Sequence, residues 1–335
     1  MNEYGDITAR TAGFVVAEYL KRGLPLLCLE KVLQLVVISK NNTKTAKWRR
    51  WNSLDSTPAN LALVEGVTPT GQDMTHTDVE ANLSQYGGLI EFTDVVIDTN
   101  DDFPEALREW VNIQGEQIAQ LVEKIRYLVV RAGTNKFYST GTARTDVNVA
   151  FSAGLQKKIV RALKRQNAQF MTEIVKSTPS FNTEAVLPAF WGFAHIDCED
   201  DIRSATGFID AKDYGTTRPV EGEVGSIGNC RYILSNIFEP YASGGAAYNG
   251  SGTAMITTDG VSADVYPILY FGRNAAAGIA LKGENAVVPS VLMPKPVAGD
   301  RLGQRGSIGY KMMQGAVILN DAWMAVAEVA VKELA

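Results

Sequence analysis

Residues 105–131 read EALREWVNIQGEQIAQLVEKIRYLVVR, and this stretch predicts one long amphipathic helix. Pro104 favours a helix start and Gly133 a helix stop. At about 1.5 Å per residue the helix would be roughly 40 Å long. We expect it to lie across one sheet, with its other side in solvent or against a partner. Its large apolar side chains recur along one side at helical spacing: Leu107, Val111, Ile118, Leu121, Val122, Ile125, Leu128 and Val129.

The chain before this helix predicts an arm and a long projection. Residues 6–22 predict a short helix and residues 24–38 an apolar arm. Residues 39–77 begin with a polar cluster, followed by the alternating segment KWRRW at 47–51, which is typical of an exposed strand. Prolines and glycines interrupt the rest of this region, so we interpret it as a long projecting loop or hairpin, which is usually functional. Residues 79–92 predict a strand.

The chain after the long helix mixes helices and strands. Residues 154–168 predict a second helix and residues 197–206 a short one. We expect a surface loop at 244–252 and one returning strand over the apolar residues 315–331. Further strands are predicted at residues 190–196, 231–238 and 265–272. The pattern is that of an α+β fold.

Composition limits the class of protein. The 335 residues are 46% hydrophobic, as in an ordinary folded chain, and the net charge of -5 argues against a dedicated nucleic-acid binder. Cys28, Cys198 and Cys230 are widely spaced and odd in number, which favours a reducing compartment without a disulfide framework. No apolar run reaches the roughly 18 residues of a membrane span, and no signal peptide is visible. We therefore expect folding in a cytoplasm and no membrane partner.

Candidate chemistry is sparse. The segment from His195 to Asp201, HIDCEDD, is the one dense set of metal-ligand types, and we interpret it as the acidic start of a helix. Gly303, Gly306 and Gly309 form a GxxGxxG pattern without the context of a phosphate site, so we expect a flexible loop. No serine lies in a GxSxG elbow. The sequence predicts no catalytic residue, no cofactor and no metal, and a protein that is not an enzyme.

Two basic runs remain. The first contains Lys47, Trp48, Arg49, Arg50 and Trp51, a mixture that suits either nucleic-acid stacking or docking on a neighbouring subunit. The second is the helix face formed by Lys157, Arg161, Lys164 and Arg165. It suits an ordinary solvated face and a charged contact equally well. An arm, a projection and a helix with a single apolar stripe make sense in a repeating assembly, where neighbours bury what one subunit exposes.

Five long blocks of the sequence resemble the major capsid proteins of tailed bacteriophages, specifically a subgroup related to those of N4-like podoviruses. The matching blocks lie between residues 4 and 331, and the clearest departures, at 222–251, suggest a variable surface loop. The blocks read YGDITARTAGFVVAEYLKRG, LVEGVTPTGQ, RAGTNKFYSTGTAR, SADVYPILYFGR and LGQRGSIGYKMMQGAVILNDAWMAVAEVAV.

The resemblance implies the Hong Kong 97-type capsid fold. It implies an N-terminal arm at 1–40, an extended loop at 41–77, a peripheral domain at 78–187 with its spine helix at 105–131, and an axial domain at 188–270. Residues 271–335 would return to the peripheral domain. Because the arm pattern begins at Tyr4, we expect no scaffolding segment ahead of the arm.

The implied function is that of a coat protein. Copies would assemble as hexamers and pentamers, around a scaffold protein, into an icosahedral head. Double-stranded DNA would enter through a portal and lie close to the shell without specific binding; a decoration protein is left open. The resemblance also implies that the loop residues Lys47, Trp48, Arg49, Arg50 and Trp51 lie over an adjacent subunit. The alternatives are an encapsulin-like non-viral shell, a nucleic-acid-binding protein and a metal-dependent hydrolase.

Overall fold

The computed structural model describes most of the chain. The described residues are 27–39, 43–69, 71–99, 103–171, 189–214, 219, 222–247, 255–281, 287–296 and 299–334. The helix expected at residues 6–22 lies outside them. None of the described helices is long and apolar enough to cross a membrane.

The described elements are five α-helices and fourteen strands, joined by loops and short 3-10 turns. The helices are α1 (Pro58–Leu61), α2 (Asp94–Thr99), α3 (Phe103–Arg131), α4 (Ala153–Arg165) and α5 (Glu199–Arg203). The first seven strands are β1 (Gln34–Ile38), β2 (Thr45–Trp51), β3 (His76–Asn82), β4 (Ser84–Thr93), β5 (Lys136–Tyr138), β6 (Phe190–Ala194) and β7 (Phe208–Asp210). The others are β8 (Glu223–Ile227), β9 (Cys230–Leu234), β10 (Tyr266–Phe271), β11 (Ala276–Leu281), β12 (Val287–Leu292), β13 (Arg305–Ile318) and β14 (Met324–Val329).

Two sheets and one separate hairpin organise the chain. The five-stranded sheet is built on the long strand β13, which pairs with β4 on one side and with β12 and then β11 on the other. Strand β1 adds to β11 in parallel, so the arm enters this sheet. The seven-stranded sheet has the order β5-β14-β10-β6-β9-β8-β7. Among the described strands, β2 and β3 pair only with each other.

Helix α3 begins two residues before the predicted start and ends where the sequence predicts. Its first turns pack on the five-stranded sheet, where Val111, Ile118 and Val122 meet β4 and β13. Its last turns pack on the seven-stranded sheet through Tyr127 and Val130. The helix therefore joins two sheets rather than lying across one.

The buried face of α3 turns along the helix as a consequence. Leu128, predicted on the apolar stripe, is 54% exposed, whereas the polar side chains of Glu123 and Arg126 are buried. The stripe prediction was wrong at this end, because a single straight stripe assumes a single flat partner. Here the second sheet approaches from a different side.

The seven-stranded sheet holds the largest apolar core. Helix α4 covers one face with Leu155, Ile159 and Leu163, which pack on β6, β10 and β14. The arm residues Leu29 and Val32 cover the opposite face. Burying such side chains stabilises a fold by roughly 1.5–3 kcal/mol each, so both layers are strongly tied to the sheet.

Two predicted single strands are each divided in the structure. The predicted strand 79–92 is β3 followed by β4, separated by Leu83, which is buried beneath the hairpin base. The predicted strand 315–331 is the end of β13 and then β14, separated by a turn. Asn320 starts that turn, and its side-chain oxygen accepts a hydrogen bond from the backbone N–H of Ala322 at 3.3 Å. The chain changes sheets at this turn.

The GxxGxxG pattern is not a flexible loop, so that prediction was wrong. Gly306 and Gly309 lie inside β13, and only Gly303 is in a turn, with φ +67. A Cβ on Gly306 would lie 2.4 Å from the Phe92 ring, and one on Gly309 would lie 2.8 Å from the Gly88 carbonyl oxygen. These glycines therefore allow close strand packing.

Candidate functional site

The projecting hairpin consists of β2, β3 and the tip between them, residues 52–69 and 71–75. The segment KWRRW lies on β2, as predicted for an exposed strand. Cross-strand pairing places Lys47 opposite Glu80 and Arg49 opposite Asp78. Arg49 donates two hydrogen bonds of 2.8 Å to the Asp78 carboxylate, and Lys47 forms an ion pair with Glu80.

These ion pairs within the hairpin reduce the number of cations in the basic run that are available to a partner. Two of its three cations are already matched by carboxylates on β3. Their pairing raises the pKa of Arg49, through Asp78, and lowers that of Asp78. Arg50, on the opposite face, is exposed and forms no ion pair with any residue the structure describes. Arg50 is therefore the cation that this strand offers to a partner.

The two tryptophans have different surroundings. Trp48 is half-buried at the base of the hairpin, where it packs with Ala46, Ala81 and Ile279 against the five-stranded sheet. Trp51 lies at the start of the tip, is 55% exposed, and meets the His76 ring edge-on at a centroid distance of 5.3 Å. Trp48 anchors the hairpin to the body, and Trp51 faces outward.

The tip has local order of its own. The side-chain amide of Asn60 donates to the Asp55 carboxylate at 2.6 Å, and Thr57 donates both its hydroxyl, at 2.6 Å, and its backbone N–H, at 2.9 Å. These hydrogen bonds lower the Asp55 pKa to about 2. They set the turn that starts α1.

The tip also exposes a cluster of large apolar side chains that the sequence reasoning missed. Leu63 is 76% exposed and Val64 67% exposed. The signal was present in the run LALVEGV at 61–67, which is unusually apolar for a projecting loop. Exposed apolar clusters of this kind mark protein contact surfaces. The tip cluster consists of Leu54, Leu61, Leu63, Val64, Val67 and Met74.

The second predicted face lies on α4. The Ser152 hydroxyl caps the helix by accepting a hydrogen bond from the Leu155 N–H at 3.3 Å. Burial of Leu155, Gln156, Ile159 and Leu163 directs the opposite side outward. The exposed side carries Lys157, Lys158, Arg161, Lys164 and Arg165, so the structure brings the four predicted cations to one surface and adds Lys158.

The His195 segment forms a helix start, as interpreted from the sequence. Glu199, Asp200 and Asp201 occupy the first turn of α5. Tyr266 donates its hydroxyl to Asp197 at 2.8 Å, and Cys198 is fully buried. Among the described residues, no group of three or more histidine, cysteine or acidic side chains is arranged to hold a metal ion. All three cysteines are buried free thiols, and burial raises the pKa of Cys230 to about 12.

The arm is tied to α3 by a buried carboxyl group. Glu123 accepts hydrogen bonds from the backbone N–H groups of Cys28, at 3.0 Å, and Leu29, at 2.6 Å. Burial raises the pKa of Glu123 to about 7, although these donors and the charge on Arg126 act in the opposite direction.

Glu123 gives the subunit a pH-dependent stability. Its folded-state pKa lies above the ordinary glutamate value, so the folded subunit binds the proton more tightly than the unfolded chain. The free energy of unfolding should therefore fall by about 3 kcal/mol as pH rises from about 4.5 to 7. Glu123→Gln keeps a side-chain oxygen that can accept both hydrogen bonds and should remove this pH dependence. Urea unfolding of both proteins at several pH values measures it, and parallel pH profiles would contradict the assignment.

Solved structures of phage capsids share this fold. The capsid of Ralstonia phage GP4 matches with 13% identity and a TM-score of 0.64, over 91% of this chain and 88% of that chain. The Cyanophage Pam1 capsid matches with 12% identity and a TM-score of 0.57, over 91% of each chain. The head structure of Helicobacter pylori bacteriophage KHP40 matches with 10% identity and a TM-score of 0.55, over 90% of each chain. These matches confirm the expected α+β capsid fold.

The family comparison goes further than the fold. A search of curated proteins by sequence gives no match. The family described as phage capsid protein matches residues 77–328, which is about three quarters of the chain. The chain belongs to this phage capsid protein family. It is a major capsid protein, a structural subunit of the virion, and its copies form the head shell of a bacteriophage.

Proposed function

We propose that copies of this chain assemble as hexamers and pentamers into an icosahedral head around double-stranded DNA, with the hairpin of each subunit lying over its neighbour. The observation that carries this is the hairpin itself. Its strands pair with no other strand of the described chain, and its tip exposes six large apolar side chains. Its base is anchored to the five-stranded sheet by Trp48, but a two-stranded hairpin without further support is marginally stable in water. A neighbouring subunit would bury the tip and hold it.

The sheets support part of the division expected from the family, although β5 and α4, which lie within 78–187, belong to the seven-stranded sheet or pack on it. The arm at 1–40 and the extended loop at 41–77 precede a peripheral domain at 78–187, which contains α3. The axial domain at 188–270 supplies five strands of the seven-stranded sheet. Residues 271–335 supply β11, β12 and β13 to the five-stranded sheet and β14 to the other. We therefore limit the proposed return to the peripheral domain to β11–β13.

Further partners are expected for a shell of this kind. A scaffold protein would guide assembly in the host cytoplasm, a portal would admit DNA, and a decoration protein could add to the outside. A structural role requires no catalytic step, cofactor or metal ion. The first test is the mass and shape of the purified chain, by light scattering and negative-stain microscopy, with and without scaffold. Closed shells or six-membered rings are expected, and a compact 36.3 kDa monomer under both conditions would overturn the proposal.

The basic strand gives a second test of the hairpin contact. Arg49→Glu with Arg50→Glu is expected to block assembly while the subunit stays folded, since β2 would present acidic groups to the neighbour. Arg49 also forms an ion pair with Asp78, so the loss of that ion pair needs its own control. Arg49→Asp with Asp78→Arg preserves a cross-strand ion pair and is expected to assemble. Normal particles from the Arg49→Glu, Arg50→Glu protein would remove this strand from the contact.

A further inference from the structure

Helix α4 carries an unbalanced positive face. Its thirteen residues, AGLQKKIVRALKR, include five cations and no carboxylate. None of those five forms an ion pair with a described residue. Several cations elsewhere on the surface do pair, as Arg49 does with Asp78 and Arg203 with Glu199, whereas Arg50 does not. No carboxylate of the described chain therefore lies within ion-pair distance of the five cations.

Grooves flank the helix on both sides. One, of about 760 Å³, has Lys157, Arg161 and Lys164 on one wall, and Gly228 and Asn229 on the other. No acidic side chain is among the described residues that line it. The second groove, of about 550 Å³, shares Arg161 and adds Lys158. Asp321, the one acidic residue among the described residues that line it, already accepts a hydrogen bond from the Thr134 backbone N–H at 2.9 Å.

The charge of the whole chain makes this face exceptional. The chain has a net charge of -5 and α4 alone contributes +5, so the remaining residues carry -10. A polyanion would be repelled by most of the subunit and attracted here. The cations extend over about 12 Å of helix. The same length of DNA duplex carries roughly seven phosphate charges, which is a comparable density.

The nature of the surface favours nucleic acid over an acidic protein segment. Protein interfaces have an apolar centre, whereas DNA interfaces are polar and strongly positive. No large apolar side chain of α4 is strongly exposed, and Val160 is only half-buried between the cations. The exposed apolar cluster lies instead on the hairpin tip. The subunit thus separates a surface suited to protein from a surface suited to phosphate.

We propose that the exposed face of α4 binds the phosphate backbone of the packaged DNA, and that this face therefore points to the inside of the shell. The inference rests on the proposed function, because it takes the enclosed genome as the partner. It goes further by assigning the residues and the orientation of the subunit. Binding would be independent of sequence, because the grooves offer charge and backbone groups, and Phe137, the one aromatic side chain among their described lining residues, is only partly exposed.

The test measures the salt dependence of DNA binding by the full-length subunit. A short fluorescent duplex is titrated with protein by anisotropy between about 50 and 200 mM salt. Lys157→Ala with Lys164→Ala removes two phosphate contacts. The slope of log K against log salt should therefore become shallower by about 2. Lys295→Ala with Lys311→Ala removes the same charge from positions outside α4, and should leave the slope unchanged. Two duplexes of different sequence should bind equally.

Each other outcome has a defined meaning. Equal slopes of log K against log salt for the unaltered chain and the Lys157, Lys164 variant would overturn the proposal. A slope that becomes equally shallow in the Lys295, Lys311 variant would also overturn it. Binding of poly-glutamate is measured on the same proteins. A Lys157, Lys164 variant that loses poly-glutamate binding but binds DNA like the unaltered chain would also overturn the proposal, and would assign the face to an acidic protein segment. Shell formation is measured separately on the unaltered chain, so a failure of assembly is distinguishable from a failure of DNA binding.

Discussion

Replacing both Leu63 and Val64 by aspartate is expected to abolish the formation of closed shells while the subunit remains folded. Both side chains are mostly exposed in the subunit, so the change removes little from its own core. Surface substitutions of this kind usually alter the free energy of unfolding by less than about 0.5 kcal/mol. In the shell, burying a leucine and a valine contributes about 4 kcal/mol per contact, and a buried carboxylate would add a penalty.

The measurement is particle yield by negative-stain microscopy and sedimentation, alongside thermal unfolding of the subunit. The matched control is Leu63→Met with Val64→Ile, which keeps the apolar surface and should assemble. Shells of normal yield from the aspartate variant would show that the tip does not contact a neighbour. Loss of assembly in the control as well would point to shape rather than burial as the requirement.

Arg144→Ala is expected to destabilise the folded subunit by about 4 kcal/mol, the largest effect of a single substitution that we expect. Glu328 on β14 is fully buried and accepts two hydrogen bonds of 2.8 Å from Arg144. Lys136 lies 3.2 Å from the same carboxylate. Burial alone would raise the Glu328 pKa, but Arg144 and Lys136 outweigh it and hold the pKa low. The guanidinium also stacks 3.4 Å from the Tyr241 ring centroid.

Removal of Arg144 leaves a buried carboxylate with only Lys136 to neutralise it. Chemical denaturation of dissociated subunits at neutral pH measures the loss. Arg203→Ala breaks the surface ion pairs of Arg203 with Glu199 and with Asp210 and should cost only about 1 kcal/mol. Equal losses for the two variants would contradict a special role for the buried pair. Since the folded-state pKa of Glu328 is lowered, its stabilising contribution is present above the ordinary glutamate pKa and is lost as pH falls through the folded value.

Local sequence patterns determined the two longest described helices, α3 and α4, and the hairpin, but not the short helices α1 and α2. The bounds of α3 and α4 could be predicted to within a few residues, because an amphipathic face repeats every 3.6 residues and glycine or proline marks an end. The projecting hairpin could be predicted from alternation in β2 followed by a long run without a core pattern. The α4 cations could be placed on one face for the same reason, because helical spacing is a property of the backbone.

Other features depended on which elements meet in space. The turning of the buried face of α3, which exposes Leu128 and buries Glu123, results from contact with two sheets. No local sequence pattern indicates that α3 contacts a second sheet. Gly306 and Gly309 are compatible with a loop or a strand, and only the close approach of Phe92 and Gly88 assigns them to β13.

The candidate sites likewise combine features that the sequence predicts with features that depend on tertiary contacts. The sequence by itself placed KWRRW on an exposed strand and the four predicted cations of the second run on one helix face. Only the tertiary structure decided that Arg49 pairs with Asp78 on β3 and that Arg50 forms no ion pair with a described residue. It also decided that the apolar side chains of the tip are exposed. The physical reason is that the charge of a side chain is local, whereas its partner comes from a distant part of the chain. Which charges and apolar groups remain available to other molecules is therefore settled only when the chain has folded.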